Sequence, residues 1–382
     1  MARLHEKSII CGSILFLREN TMRVVASVGL LMFSAQIASA DIAAAPRHWE
    51  VDPKPFRKED GKDNEAHKAL SGAACVPDTN RCLVVNDEGR FAQFFEIHGT
   101  TIVPKEVIGL LPDWNGKKKK KEKNNELDAE GVAYVESKTD AALGYFYITG
   151  SHGLSREGQR QDSRYQVLRF PVSTATGRPT FPFDTEEVAP QIEPATTLGP
   201  AIANLLKVGK FTKSKLHENG VTVEGLAILG DEALFGLRAP CIGGQAFVVR
   251  APVEALFSGA PFTAKESPLA LGHNAGIRDL AKVDDGVLIL SGRSNDKGTK
   301  GAFTCDTPGP EADPVAQVWL WSGNHGDAPE NLGTLPGVSK SDKAETLLVL
   351  GEDTASYRVL VWFDDEPNGK PKEYVIDKQK HR

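Results

Sequence analysis

The sequence predicts an all-β chain folded as a β-propeller of five four-stranded blades. Three observations carry this prediction. A strand start made of a polar residue, a small or short polar residue and an apolar run recurs five times. Each start is followed by further short strands rich in alternating apolar residues. The starts are spaced by roughly 55 to 95 residues, room for four strands each. One such unit cannot bury both faces of its sheet alone. Radial packing against two neighbours covers both and leaves only short edges.

The clearest starts are Ser71-Gly72-Ala73-Ala74-Cys75, Glu130-Gly131-Val132-Ala133-Tyr134 and Glu224-Gly225-Leu226-Ala227-Ile228. Two looser copies follow, Arg278-Asp279-Leu280-Ala281-Lys282 and Glu345-Thr346-Leu347-Leu348-Val349. Second strands are predicted at 81–85, 144–149, 233–237 and 286–290; in the fifth unit the second strand, 346–350, is nearly fused to the first. Third strands are predicted at 91–97, 165–172, 245–252, 316–321 and 357–363, with fourth strands such as 101–108 and 372–376. A sixth unit would have to lie between Glu130 and Glu224. Residues 178–220 read instead as an insertion, with helical spacing of apolar residues over 201–208. The segment at 48–51 is a candidate for completing the last blade. Trp319 and Trp321, alternating on one strand, are expected to pack inside a blade.

The first forty residues read as a leader. Met22-Arg23, a short apolar stretch over 24–33 and an Ala-x-Ala end at Ala38-Ser39-Ala40 match a signal peptide, with Met22 the expected start of translation. The apolar stretch is shorter than the about 20 residues that a bilayer span needs. The expected organisation is therefore a signal peptide over 1–40, an N-terminal segment over 41–66 and the propeller over 67–382.

Four cysteines remain after the leader. Cys75 and Cys82 flank a turn-rich hexapeptide between two strands, which makes a hairpin disulfide natural; Cys241 and Cys305 would then pair across adjacent units. Export and disulfides together place the chain in the periplasm or outside the cell. A formal charge of −6 gives no basic field for nucleic acid. The five consecutive lysines from Lys117 to Lys121 read as a solvated loop.

No phosphate-binding loop, dinucleotide fingerprint, zinc-protease helix or nucleophile elbow is present. A site must therefore come from residues that the fold gathers. The first strand of each blade faces the central channel, so Ser71, Glu130, Glu224, Arg278 and Glu345 should form a ring. Three carboxylates in one narrow channel must take up protons, pair with Arg278 or bind a cation. In the last case Glu130, Glu224 and Glu345 would be hard oxygen ligands for Ca²⁺ or Mg²⁺. No organic cofactor is expected. A second ring at the ends of the second strands would hold Asp87 and Glu88, His152, Arg238, Arg293, and Glu352 or Asp353. There Arg238, Arg278 and Arg293 could clamp an anion, and His152 could serve as general acid or base.

At these same residues the chain resembles a bacterial family, domain of unknown function 3616. The resemblance rests on Asp128-Ala129-Glu130-Gly131-Val132-Ala133, on Glu224-Gly225-Leu226-Ala227 with Gly236-Leu237-Arg238, and on Gly276-Ile277-Arg278-Asp279-Leu280-Ala281. It would run from about Leu70 to Phe363. The Glu-Gly-Leu-Ala start is also similar to that of phytase-like esterase propellers, a kinship that would imply metal-assisted attack on an ester. The expected function is a monomeric exported propeller that binds a small anionic ligand or a protein partner in a charged channel. The alternative is a metal-dependent hydrolase of a small anionic ester or phosphoester.

Overall fold

The computed structural model describes residues 42–57, 65–112, 114, 126–183, 187–294, 305, 315–339 and 341–378. The leader and the lysine run lie outside the described residues. Among the described residues the strands form five small sheets. Each sheet is one blade of a β-propeller, and the inner strands touch in the order one, two, three, four, five and back to one, which closes the ring.

Blade one comprises Leu70–Cys75, Arg81–Asn86, Phe91–His98 and Thr101–Gly109 from the axis outward. Blade two comprises Ala129–Glu136, Leu143–Gly150, Val167–Ser173 and Glu193–Ala195. Blade three is Thr222–Leu229, Glu232–Ile242, Gln245–Pro252 and Lys265–Leu269; blade four is Ala275–Val283, Gly286–Arg293, Gln317–Trp321 and Glu330–Thr334. The expected insertion thus supplies the outer strand of blade two, and then the short helix Leu198–Ala203.

The fifth blade corrects the sequence reading by one strand. Its inner strand is Ala344–Glu352, its second Ser356–Phe363 and its third Lys372–Asp377. Its fourth is Ile42–Ala44, which pairs antiparallel with Lys372–Asp377. The segment expected to seal this blade does something else: Glu50–Val51 adds to blade one, parallel to Thr101–Gly109. The two N-terminal strands thus tie the start of the chain to the outer edges of the last and first blades.

Apolar clusters fill the gaps between neighbouring sheets. Phe94, Phe146 and Phe170 meet between blades one and two, with Phe94 and Phe146 edge to face at 6.2 Å. Trp319 and Trp321 are buried between blades three and four, as their alternation predicts, and Trp319 Nε1 donates to Ser291 Oγ at 2.9 Å. Both expected disulfides form, Cys75–Cys82 within blade one and Cys241–Cys305 between blades three and four. No described helix is long and apolar enough to cross a membrane.

Candidate ligand site at the charged end of the channel

Every inner strand departs from regular pairing at the position that the repeat marks. In blade two Ala129 pairs with Gly150 and Gly131 with Thr149, so Glu130 is left out of the ladder. The same skip isolates Glu224 between Val223 and Gly225, Arg278 between Ile277 and Asp279, and Glu345 between Ala344 and Thr346. Blade one shifts register between Leu70 and Ala73, around Ser71. A bulge puts one extra residue on its strand and re-aims that side chain. Repeated around a ring, it brings Ser71, Glu130, Glu224, Arg278 and Glu345 to the wall of one chamber of about 830 Å³.

The next residue in each strand sets the waist below this chamber. A Cβ on Gly72 would lie 2.6 Å from the Val132 backbone nitrogen, and one on Gly131 would lie 2.7 Å from that of Leu226. Glycine is therefore required where one inner strand leans on the next. Blades four and five replace this close approach with side-chain bridges. Asp279 accepts from Leu280 N at 2.7 Å and from Leu347 N at 2.8 Å, linking blade four to five. The Thr346 hydroxyl donates to the Ser71 carbonyl, linking five to one.

Arg278 sits between two of the three ring glutamates. Its Nε is 3.1 Å from Glu224 Oε2, and its Nη2 pairs with Glu345. Arg238 Nη1 donates to the other Glu224 oxygen at 3.0 Å. Arg278 is buried, and its pKa is lowered by that burial and by Arg238 nearby. A second arginine organises the blade-two side. Arg164 donates to Asp128 Oδ2 at 2.8 Å, to Glu126, and through Nε to Gln161 at 2.9 Å.

Two carboxylates differ from these. Among the described residues no ion pair or hydrogen bond reaches the Glu130 carboxylate, and Asp87 Oδ1 is buried without a hydrogen-bond partner. Burial, then Glu224, Asp128 and Asp87, push the Glu130 pKa well above the usual carboxylate range. Burial, then Asp128, Asp364, Glu88 and Glu126, do the same to Asp87. Asp128 is also raised by burial, against the pull of Arg164 and of the Ser151 hydroxyl.

The predicted residues thus separate. Glu130, Glu224, Glu345, Arg238, Arg278 and Arg293 all line the chamber, with Asp87 and Glu88. His152 does not line it: its ring is buried 5.6 Å from that of Tyr165, and burial brings its pKa down to about 3. Ser151 faces the chamber in its place. Glu352 lies at the opposite mouth and pairs with Lys378 at 2.9 Å; the one-strand offset in the fifth blade gives its expected place to Asp364. The proposed metal set of Glu130, Glu224 and Glu345 holds Arg278 where a cation would bridge the latter two. Among the described residues no three His, Cys, Asp or Glu side chains converge as a metal would need. Sequence reasoning missed Asp128 and Arg164 as chemistry. Asp128 stood two residues before Glu130 in the repeat, but Arg164 follows a loop with no repeat signal.

The profile of a family described as "Protein of unknown function (DUF3616)" matches residues 160–375, more than half of the chain. The chain belongs to this family. The match covers the Glu224 and Arg278 segments that carried the resemblance and begins after the Glu130 segment. No curated protein matches this DUF3616 chain. Among solved structures it is similar to a GH43 β-1,3-galactosidase, at 10% identity and a TM-score of 0.42, over 88% of this chain and 60% of that one. It is also similar to hydrazine synthase of Kuenenia stuttgartiensis, at 11% and 0.34, over 78% and 56% of the two chains. A chain of a nidogen/laminin complex is similar at 8% and 0.35, over 81% and 84%. The DUF3616 chain thus spans about 60% of the galactosidase chain and about 56% of the synthase chain.

Proposed function

We propose that this protein is a ligand-binding propeller whose charged chamber holds a small polar molecule. One observation carries the reading: five bulges turn five side chains into a single chamber of about 830 Å³. Small-molecule pockets run from about 300 to 1,000 Å³ and place a few polar groups at fixed positions. A purely structural ion-pair network needs no such open volume. The metal-dependent hydrolase has less behind it, since Arg278 pairs with two of its three supposed ligands. The two disulfides support a periplasmic or extracellular setting for this binding.

The test is a thermal-shift panel of amines, amino acids, sugars, carboxylates and phosphate esters on the purified protein. At least one class should raise the melting temperature, and the rise should vanish in Ser71→Trp, whose indole intrudes on the chamber at the ring. A shift that survives Ser71→Trp, or a flat panel, would rule the chamber out as a binding site.

A further inference from the structure

We propose that the ligand presents an organic cation, an ammonium or guanidinium group, to Asp87 and Glu130 on the side of the chamber built by blades one and two. The proposal rests on the ligand-binding reading above and names the chemistry of its ligand.

Six of the carboxylates that line the chamber fall into two sets. Glu224 and Glu345 are held by Arg278, with Arg238 also on Glu224, and Glu126 and Asp128 are held by Arg164. Each of these has a fixed positive partner supplied by the chain. Asp87 and Glu130 have none among the described residues. The charges that act most strongly on Glu130 are Glu224, Asp128 and Asp87, and those on Asp87 are Asp128, Asp364, Glu88 and Glu126. This part of the wall therefore concentrates negative charge, which Arg278 offsets at Glu130 only in part and from beyond ion-pair distance. Asp87 Oδ1 is buried with no hydrogen-bond donor on it, a position that costs free energy unless something else supplies the donor.

A positively charged donor answers both needs at once. A bare divalent ion fits less well, because no three of the described carboxylates converge on a point and the chamber is far larger than an ion. An alkylammonium or guanidinium group spreads its N–H donors over separated acceptors and fills volume with the rest of the molecule. The two arginines at the ring itself are turned toward its glutamates. Arg278 is committed to Glu224 and Glu345, and Arg238 to Glu224.

The experiment is isothermal titration of the purified protein with butylammonium and methylguanidinium, against butanol as the neutral isostere, butyrate as the anion and Ca²⁺ as the inorganic cation. The organic cations should bind, butanol and butyrate should not, and raising the salt should weaken the cations. Asp87→Asn and Glu130→Gln should each weaken cation binding at least tenfold. Asp87→Glu, which keeps the charge, should retain most of it. Should a neutral variant fail to fold, the isostere and salt comparisons on the wild type still decide the matter. Equal binding of butanol, unaltered affinity in both neutral variants, or stoichiometric Ca²⁺ without the organic cations would overturn the proposal. If butyrate or a neutral probe binds and Ser71→Trp abolishes it, the cation assignment fails while the chamber remains a ligand site. If no probe of any class binds, both readings fall.

Discussion

The two ends of the central channel are built from the same five strands, yet one is a charged chamber and the other an apolar throat. Before the waist, Ser71, Glu130, Glu224, Arg278 and Glu345 stand on bulges and line about 830 Å³ with opposite charges. Beyond it, Ala73, Val132, Leu226, Leu280 and Leu347 form the apolar inner wall of a cavity of about 600 Å³, with charged residues such as Lys282, Asp284 and Glu352 farther toward its mouth. Between the two lie Gly72, Gly131, Gly225, Asp279 and Thr346, which bring each inner strand against the next. After the bulge, regular alternation resumes and sends successive side chains into the gaps on either side of the blade. Leu226 packs between blades two and three, and Ala227 between three and four. A single irregular residue per strand thus divides the part that faces a ligand from the part that holds the ring together.

Breaking the charged end should have the largest effect. Arg278→Ala leaves Glu224 and Glu345 buried beside each other without their shared cation, a loss of about 3 to 5 kcal/mol by analogy with other buried pairs. Urea unfolding would measure it. A cost below a tenth of that would mean the pairs do not hold the chamber. At the apolar end the loss should be smaller and of a different kind. Leu226 is 1% exposed, and Leu226→Ala should cost about 3 kcal/mol through the cavity left behind. Unlike Arg278→Ala, this variant should be insensitive to salt. Equal salt dependence of the two variants would erase the distinction between the ends.

Most of this architecture was legible from the repeat. The alternation of apolar residues gave the strands, and recurrence of the start gave the blades, because each blade must present the same edge to the axis. The ring residues were legible for the same reason. What failed did so where the repeat weakens. In the fifth unit Glu345-Thr346 replaces Glu-Gly, and the missing glycine hid the fact that Thr346 does its job by a hydrogen bond to Ser71. That slip misplaced Glu352 at the wrong mouth and concealed Asp364. His152 looked like a loop residue at a mouth, but its backbone has φ of +52° and turns the ring inward against Tyr165. The partition of acids into paired and unpaired sets was not legible at all. It depends on Arg164, whose position relative to Asp128 is set by folding across 36 residues.

The smallest effect expected is also the one that separates the two sets of acids. Glu130 and Asp87 have pKa values raised by burial and by neighbouring carboxylates, so the folded chain holds their protons more tightly than the unfolded chain does. Between the unfolded values, about 4, and the raised folded ones, the native state binds more protons, and stability falls as pH rises through that window. Glu96 and Glu106, whose pKa values are lowered against burial by hydrogen bonds from Lys105, His98 and Arg81, push in the opposite direction, so a wild-type profile alone is insufficient. Glu130→Gln removes one raised group. It should leave stability nearly unchanged near pH 4 and increase it near pH 8, because the variant has no buried carboxyl group to deprotonate there. Some slope should persist, because Asp279 is also raised by burial, against the hydrogen bonds from Leu347 and Leu280. Urea midpoints measured at both pH values in wild type and variant give the answer. A variant that is less stable at pH 8 would show that Glu130 is held by a partner after all, and the charged wall would then have no vacancy for a ligand's cation.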